Sequence, residues 1–507
     1  MLGYKEVSSV RSRENQAVEQ SSVEGRGSAP GTTERGLASR IFSWRFWPVL
    51  LVVLVPTLAL WRLGGSTVLD WDEAETGQVA FEMVRTGNYL SYRSERQPEP
   101  AFAKPPLAVW CITASYRILG FNEFALRLPS ALAAMLVVLA AYRTVRLYAP
   151  RSAAVIACLI LVSSRGLFGH HVGRTGDTDA LLIAGQAGFV FFLLRYLDGG
   201  GRARDIVVAG MCTAGAFWTK GLASLPLPAG AVLYAVVTHR GRHLVRRTEA
   251  WLGLGVFAAS VVGWFFLAPA MGPPFSVVHD VITRVFFDVE GHGATWLPFF
   301  VLGAIVSLFT PWAYVLGLAL LPVAVRRFRH PGEAWRELFD DSNRLMLVSF
   351  CVMLPLIVLL VVMRSKLTWY AAPLVPYLSI VFAAGLETLR SRYRFAAPAF
   401  VVLLTAAFAY QLMRLSTPVR DPVCSAMKRA SPTLAAAGLV VADPALAPRH
   451  RLTLSWTLAK LGPVAATGAG VAVAREAVVV GQTPFVGQFG ECERIAAVGE
   501  FTICRLH

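Results

Sequence analysis

Apolar runs long enough to cross a bilayer recur along this chain, and they restrict its fold more than any other feature. A hydrocarbon layer of about 30 Å takes roughly 17–25 helical residues to span. About eleven runs fit that length, near residues 47–63, 126–148, 152–169, 178–197, 205–219, 222–238, 250–270, 296–325, 345–363, 370–389 and 395–413. Hydrophobic residues make up 55% of the 507 and charged ones only 16%, a balance foreign to soluble globular chains. The expected class is an all-α polytopic membrane protein.

Arginines orient it. Arg143, Arg146 and Arg151, then Arg195, Arg202 and Arg204, then Arg240, Arg242, Arg246 and Arg247 fall on alternate loops, and Arg326, Arg327, Arg329, Arg390, Arg392 and Arg394 continue the series. By the positive-inside rule these loops are cytoplasmic and the others are not. The net charge of +16 is then mostly topology, since cytosolic arginines beside anionic headgroups produce it. Without a basic stripe interleaved with aromatics, no nucleic-acid partner is expected.

Residues 1–44 are polar, rich in Ser, Glu, Arg and Gly, and read as a disordered cytoplasmic tail. Residues 45–414 form the multi-span core. Beyond it, residues 415–507 fall on the non-cytoplasmic side by the parity of the spans, and runs such as Gly438–Ala442 and Ala477–Gly481 have the length of buried strands bounded by breakers. A small α/β domain is expected there. In an oxidising compartment Cys492 and Cys504 are the expected disulfide, because Gly499-Glu500 can turn a hairpin between them. Unpaired thiols are the other reading.

The polar residues that need explaining all lie on the non-cytoplasmic face. Asp72-Glu73 precedes a stretch, Ala74 to Arg85, that can form an amphipathic helix on the membrane plane with Val79, Phe81 and Met83 toward lipid. A carboxylate here suits a general base or a cation, and helix capping is the competing role. In Lys104-Pro105-Pro106 the prolines hold the lysine extended, which suits a phosphate contact, the alternative being a snorkelling anchor. A later loop carries His170, His171, Arg174, Asp177 and Asp179, of which Asp179 opens the next helix. The adjacent histidines make a poor metal pair, since they point different ways on a helix and no zinc-like spacing follows. Thr219-Lys220-Gly221, Arg364 to Tyr370, and a Gly-hinged loop holding Arg284 and His292 repeat the polar theme between spans.

In order, Asp72-Glu73-Ala74, Gly87-Asn88-Tyr89, Lys104-Pro105-Pro106-Leu107, Glu123 to Ser130, Thr178 to Leu182, Thr219-Lys220-Gly221, Pro311-Trp312 and Ser365-Lys366-Leu367 with Tyr370 and Pro373 resemble the bacterial polyprenyl-phosphate-sugar-dependent glycosyltransferases. That group includes the lipid A aminoarabinose transferases, the lipopolysaccharide galacturonic acid transferases and, more distantly, the protein O-mannosyltransferases. The resemblance covers roughly residues 45 to 415 and implies a C-type glycosyltransferase fold with a periplasmic C-terminal domain. It also implies a polyprenyl-phosphate-linked sugar donor and inversion at the anomeric carbon.

Carried over residue by residue, the resemblance makes Asp72 and Asp179 catalytic, and Lys104 and Lys366 contacts to the donor phosphate. Glu73, Tyr370 and His292 are expected at the substrate. Glu75 stands where relatives often carry Arg, so a phosphate contact passes to another basic residue such as Arg174 or Arg284. Ala103 stands where relatives often carry an acid, which leaves a divalent metal ion open and no other cofactor implied.

The expected function is transfer of a sugar to a hydroxyl or phosphate of lipid A or another envelope glycolipid or glycan, at the periplasmic face of the inner membrane and among its lipids. A protein hydroxyl is the alternative acceptor, and a polytopic lipid or solute transporter is the competing class. The orientation is checked by labelling single cysteines with a membrane-impermeant reagent in intact cells. Positions 290, 365 and 433 should react, and positions 200, 242 and 330 should react only once the membrane is opened; the opposite pattern would invert every loop.

Overall fold

The computed structural model describes residues 47–69, 72–90, 105–169, 171–271, 297–317, 343–392, 396–459, 464–467 and 477–506. The chain divides into two compact units, Met1–Pro48 and Val49–His507. Only Trp47 and Pro48 of the first are described, so the expected tail lies outside the described residues, as do Lys104, Arg284 and His292.

Helices α1 (Trp47–Leu60), α2 (Asp72–Thr86), α3 (Leu107–Leu119), α4 (Glu123–Tyr148), α5 (Arg151–Ser163), α6 (Asp179–Asp198), α7 (Ala203–Lys220), α8 (Pro226–Val237), α9 (Gly241–Arg246), α10 (Thr248–Met271), α11 (Leu297–Phe309), α12 (Arg344–Val362), α13 (Val375–Arg392) and α14 (Ala396–Ser416) make the core. Among the described residues, seven helical stretches are long and apolar enough to cross a membrane, those built on α4, α6, α7, α10, α12, α13 and α14. The shorter apolar helices α1, α5, α8 and α11 fall on the remaining apolar runs. Large apolar side chains such as Val52, Leu136, Phe266 and Val402 stand exposed on these helices, as lipid-facing residues do. Helices approach closely through glycine, as lipid-embedded packing favours: a Cβ on Gly210 of α7 would strike the Gly253 carbonyl of α10.

The helix expected to lie on lipid does not. Val79, Phe81 and Met83 of α2 are buried, in one cluster with Val109, Ile112 and Tyr116 of α3, Phe217 of α7 and Trp264 of α10. Burying each such side chain contributes about 1.5–3 kcal/mol, so α2 is held by protein, and the polar residues at its start acquire a fixed position.

Arg127 supplies the polar half of that hold. Its side chain is 2% exposed, and its guanidinium donates to Glu73 Oε1 at 2.6 Å and Oε2 at 3.1 Å, and to the carbonyls of Leu63, Ser66 and Thr67 at 2.8–3.0 Å. Glu73 in turn accepts from the backbone N–H groups of Leu69 (2.8 Å) and Gly176 (3.0 Å). The pair thus joins the start of α2, the segment before it, α4 and the loop before α6. At the far ends of the helices, Asp198 is bound in the same way by Tyr148, Tyr234 and Arg240.

After α14 come α15 (Pro422–Arg429), α16 (Ser431–Ala436), β1 (Leu439–Ala442), α17 (Pro448–Ala459), β2 (Val464–Thr467), β3 (Val478–Gln482), β4 (Cys492–Val498) and β5 (Phe501–Leu506). The sheet order is β2-β1-β3-β5-β4, parallel across β2, β1 and β3 and antiparallel across the other pairs. Both expected strand runs are β1 and β3, with Val440, Val441, Val478, Val479 and Val480 fully buried. Gly499-Glu500 turns the β4–β5 hairpin, and Cys492 and Cys504 are disulfide-bonded across it with Cα atoms 5.6 Å apart. Helix α17 seats on α2: Leu452 fills the space a Cβ would need at Gly77, and Trp456 meets Tyr116 edge to face at 6.3 Å.

Because an uncompensated buried charge costs roughly 3–5 kcal/mol, Arg127→Met should lower thermal stability in detergent sharply. The double variant Glu73→Met, Arg127→Met should recover most of the loss. Equal melting of wild type and Arg127→Met would show that the pair does not hold α2.

Candidate active site

Two adjacent acids separate at the start of α2, since successive helical residues point about 100° apart. Glu73 turns inward to Arg127. Asp72, only partly buried, turns to the loop before α6, where its carboxylate, His171 and Asp177 each place one ligand-type atom within 4.8 Å of the others. This loop is fixed to α2 by two bonds, the Gly176 N–H to Glu73 and the Thr76 hydroxyl to the Gly176 carbonyl at 2.6 Å. His171 takes a left-handed backbone, φ 63°, and its ring stacks on Trp369 with centroids 3.8 Å apart and planes 18° apart. Trp369 is followed by Tyr370, whose ring lies edge-on to it at 6.3 Å.

Tyr370 leads to the second charged group. Lys220 Nζ sits 5.3 Å from the centre of the Tyr370 ring and donates to Asp179 Oδ1 at 2.7 Å and Oδ2 at 2.8 Å. Lys220 is the last residue of α7 and Gly221, at φ 57°, ends the helix there, so the ammonium also meets the negative end of the helix dipole. Asp177 and Asp179 are two residues apart at the start of α6. A continuous belt results, running from Asp72 through Asp177, His171, Trp369 and Tyr370 to Lys220 and Asp179.

Of the residues expected at the site, the structure brings Asp72, Asp179 and Tyr370 into this belt. Others go elsewhere. Glu73 was expected at the substrate but is 1% exposed with its oxygens on Arg127 and two backbone N–H groups, so it is a structural acid. Lys366, expected at a phosphate, is 2% exposed and turns back on α12, donating to the carbonyls of Leu360 (2.8 Å) and Met363. It closes that helix's C-terminus, the place where a lysine complements unpaired carbonyls. Arg174 donates to the carbonyls of Leu58 and Ala59 at the end of α1. Burial, with Arg127 and Arg414 nearby, lowers its pKa to about 10, so it stays cationic at neutral pH. Asp179, expected as a catalytic acid, has both oxygens on Lys220 and holds that lysine in place.

His171, Asp177, Lys220 and Trp369 are the additions. Each stands in a quoted polar loop, but the contacts that give them meaning join residues far apart in the chain, as Lys220 and Asp179 do across 41 positions. Among the described residues a second group, Asp421, Cys424 and His450, is similarly close. There Asp421 is already engaged by Arg449 at 2.9 Å and by the Cys424 N–H at 3.0 Å, so a metal would have to displace an arginine.

This arrangement sits in a recognisable scaffold. The profile of the dolichyl-phosphate-mannose-protein mannosyltransferase family matches residues 103–265. The undecaprenyl phosphate-alpha-4-amino-4-deoxy-L-arabinose arabinosyl transferase of Serratia proteamaculans is 24% identical over 67% of this chain and 59% of its own length. Its namesake in Aeromonas hydrophila is 27% identical over 62% and 55%. The chain therefore spans less than two thirds of each. The crystal structure of ArnT from Cupriavidus metallidurans bound to undecaprenyl phosphate superposes with a TM-score of 0.66 at 18% identity, over 90% of this chain and 98% of that one. The chain is thus similar to polyprenyl-phosphate-sugar glycosyltransferases in sequence and in fold. With them it shares a multi-pass helical membrane core carrying a small C-terminal sheet domain.

Proposed function

We propose that this protein is an inverting glycosyltransferase that moves a sugar from a polyprenyl phosphate to a hydroxyl or phosphate of a lipid or glycan acceptor, lipid A being the leading case, on the periplasmic face of the inner membrane. The observation that carries this reading is the belt itself: one partly open carboxylate, Asp72, at one end and one oriented ammonium, Lys220, at the other, on a scaffold like that of a protein solved with undecaprenyl phosphate.

In this reading the acceptor oxygen attacks the anomeric carbon from the face opposite the phosphate. The new C–O bond forms as the bond to the phosphate oxygen breaks, and Asp72 takes the acceptor proton. The departing polyprenyl phosphate gathers negative charge, which Lys220, held by Asp179, stabilises as a fixed cation, with Lys104 of the first loop as a second positive charge. Asp179 holds Lys220 over Tyr370, and the aromatic faces of Tyr370 and Trp369 flank the sugar path. Glu73 and Lys366 act on the scaffold only.

Asp72→Asn keeps the shape and removes the base, so kcat with an undecaprenyl-phosphate sugar should fall about 10²–10⁴-fold while the protein melts as before. Lys220→Ala should raise donor KM as well as lower kcat, because the phosphate is charged in both ground and transition states. Near-normal turnover of Asp72→Asn would remove it as the base, and unchanged kinetics in Lys220→Ala would place the phosphate elsewhere.

A further inference from the structure

The turn between α8 and α10 carries charge that the transfer scheme does not use. Helix α8 starts soon after Lys220 and Gly221 and ends at Val237, so the turn lies at the end of the bundle away from the belt. A helix long and apolar enough to cross a membrane starts at Thr248, which puts the turn at the bilayer surface. Its arginines belong to the series that marks the cytoplasmic side. There Val236, His239, Gly241, Arg242, Val245 and Arg246 line a groove of about 440 Å³, within the span of about 300–1,000 Å³ common to small-ligand sites.

Two arginines and a histidine line this groove, and no acid does. Arg242 and Arg246 are exposed and stand one turn apart on the same face of α9. Neither makes an ion pair with a described residue, whereas Arg240, just before α9, is bound to Asp198. His239 takes φ 58°, the left-handed position past a helix end that glycine ordinarily fills, and strain of that kind gathers at functional places. The groove is apolar where a lipid tail would leave it. Val236, Val245, Trp251 and Leu252 are all exposed, and the Trp251 indole donates to the Val245 carbonyl at 2.9 Å, tying α9 to the start of α10. Tryptophan is enriched at this depth of a bilayer.

We infer that this groove binds the headgroup of an anionic phospholipid of the cytoplasmic leaflet, its phosphate diester among Arg242, Arg246 and His239 and its acyl chains leaving past Val236 and Val245. Guanidinium groups suit a phosphate because each offers paired N–H donors in a fixed plane. The neighbouring apolar side chains favour a lipid over a free anion. The lack of a carboxylate favours an anionic headgroup over a zwitterionic one, whose ammonium would find no partner. Basic pockets between membrane helices on this side take such headgroups. The inference goes beyond the transferase reading and does not rest on it, since the groove shares no residue with the belt.

The test is native mass spectrometry of the full chain, delipidated in detergent and titrated with phosphatidylglycerol, phosphatidylethanolamine or inorganic phosphate. One phosphatidylglycerol per chain should be retained, about tenfold more tightly than phosphatidylethanolamine, and phosphate should not displace it. Arg242→Gln with Arg246→Gln should weaken retention about 10–30-fold, the loss expected of two basic residues beside an anionic lipid. Arg143→Gln with Arg151→Gln removes the same charge from exposed positions on another loop of that side and should leave retention unchanged. His239→Gly should weaken retention while melting no lower than the wild type, because glycine suits a positive φ. Equal retention of the two lipids, or displacement by phosphate, would overturn the inference on the wild-type chain alone, whether or not the variants fold. So would equal loss in the two double variants, or undiminished retention in Arg242→Gln with Arg246→Gln.

Discussion

The buried pair of Glu73 and Arg127 is the interaction on which the rest of this structure depends. An arginine inside an apolar bundle is tolerated only when its donors are used, and here the guanidinium is spent on one carboxylate and three carbonyls. Because Glu73 also accepts from Leu69 and Gly176, a single ion pair sets both the angle of α2 and the place of the loop that carries His171 and Asp177. Asp72 is aimed by its neighbour. The C-terminal domain adds a second constraint on the same helix, with Leu452 packed over Gly77, and ties itself to the start of α4 through Lys428 and Glu123.

Much of the architecture was legible in the sequence because lipid allows few solutions. Each apolar run meets a helix, the Val-rich runs are the central strands β1 and β3, and the Cys492–Cys504 pairing follows from a hairpin whose turn is two residues long. The amphipathic reading of α2 failed for a definite reason. Val79, Phe81 and Met83 mark an apolar face, but periodicity cannot say whether lipid or another helix covers it, and α3, α7 and α10 do.

The site was legible in part for a related reason. Motif residues name the chemistry but not the direction in which a side chain turns. Asp72 and Glu73 are neighbours in sequence and opposites in role. Lys366 and Lys220 both stand at helix ends in polar connectors, yet Lys366 folds back onto its own helix carbonyls whereas Lys220 reaches across to Asp179 and Tyr370. Only long-range packing distinguishes them. Asp177 and His171 were visible as polar residues of one loop, and their meaning came with the approach of Asp72 from another element.

The central claim is that the belt from Asp72 to Lys220 is where the polyprenyl phosphate reacts. An electron cryomicroscopy structure of the chain with undecaprenyl phosphate tests it most directly. The account predicts phosphate density in contact with Lys220 Nζ beside the Tyr370 ring, within the belt whose other end is Asp72. Phosphate density beside Lys366, or at any place out of reach of Lys220, would contradict it.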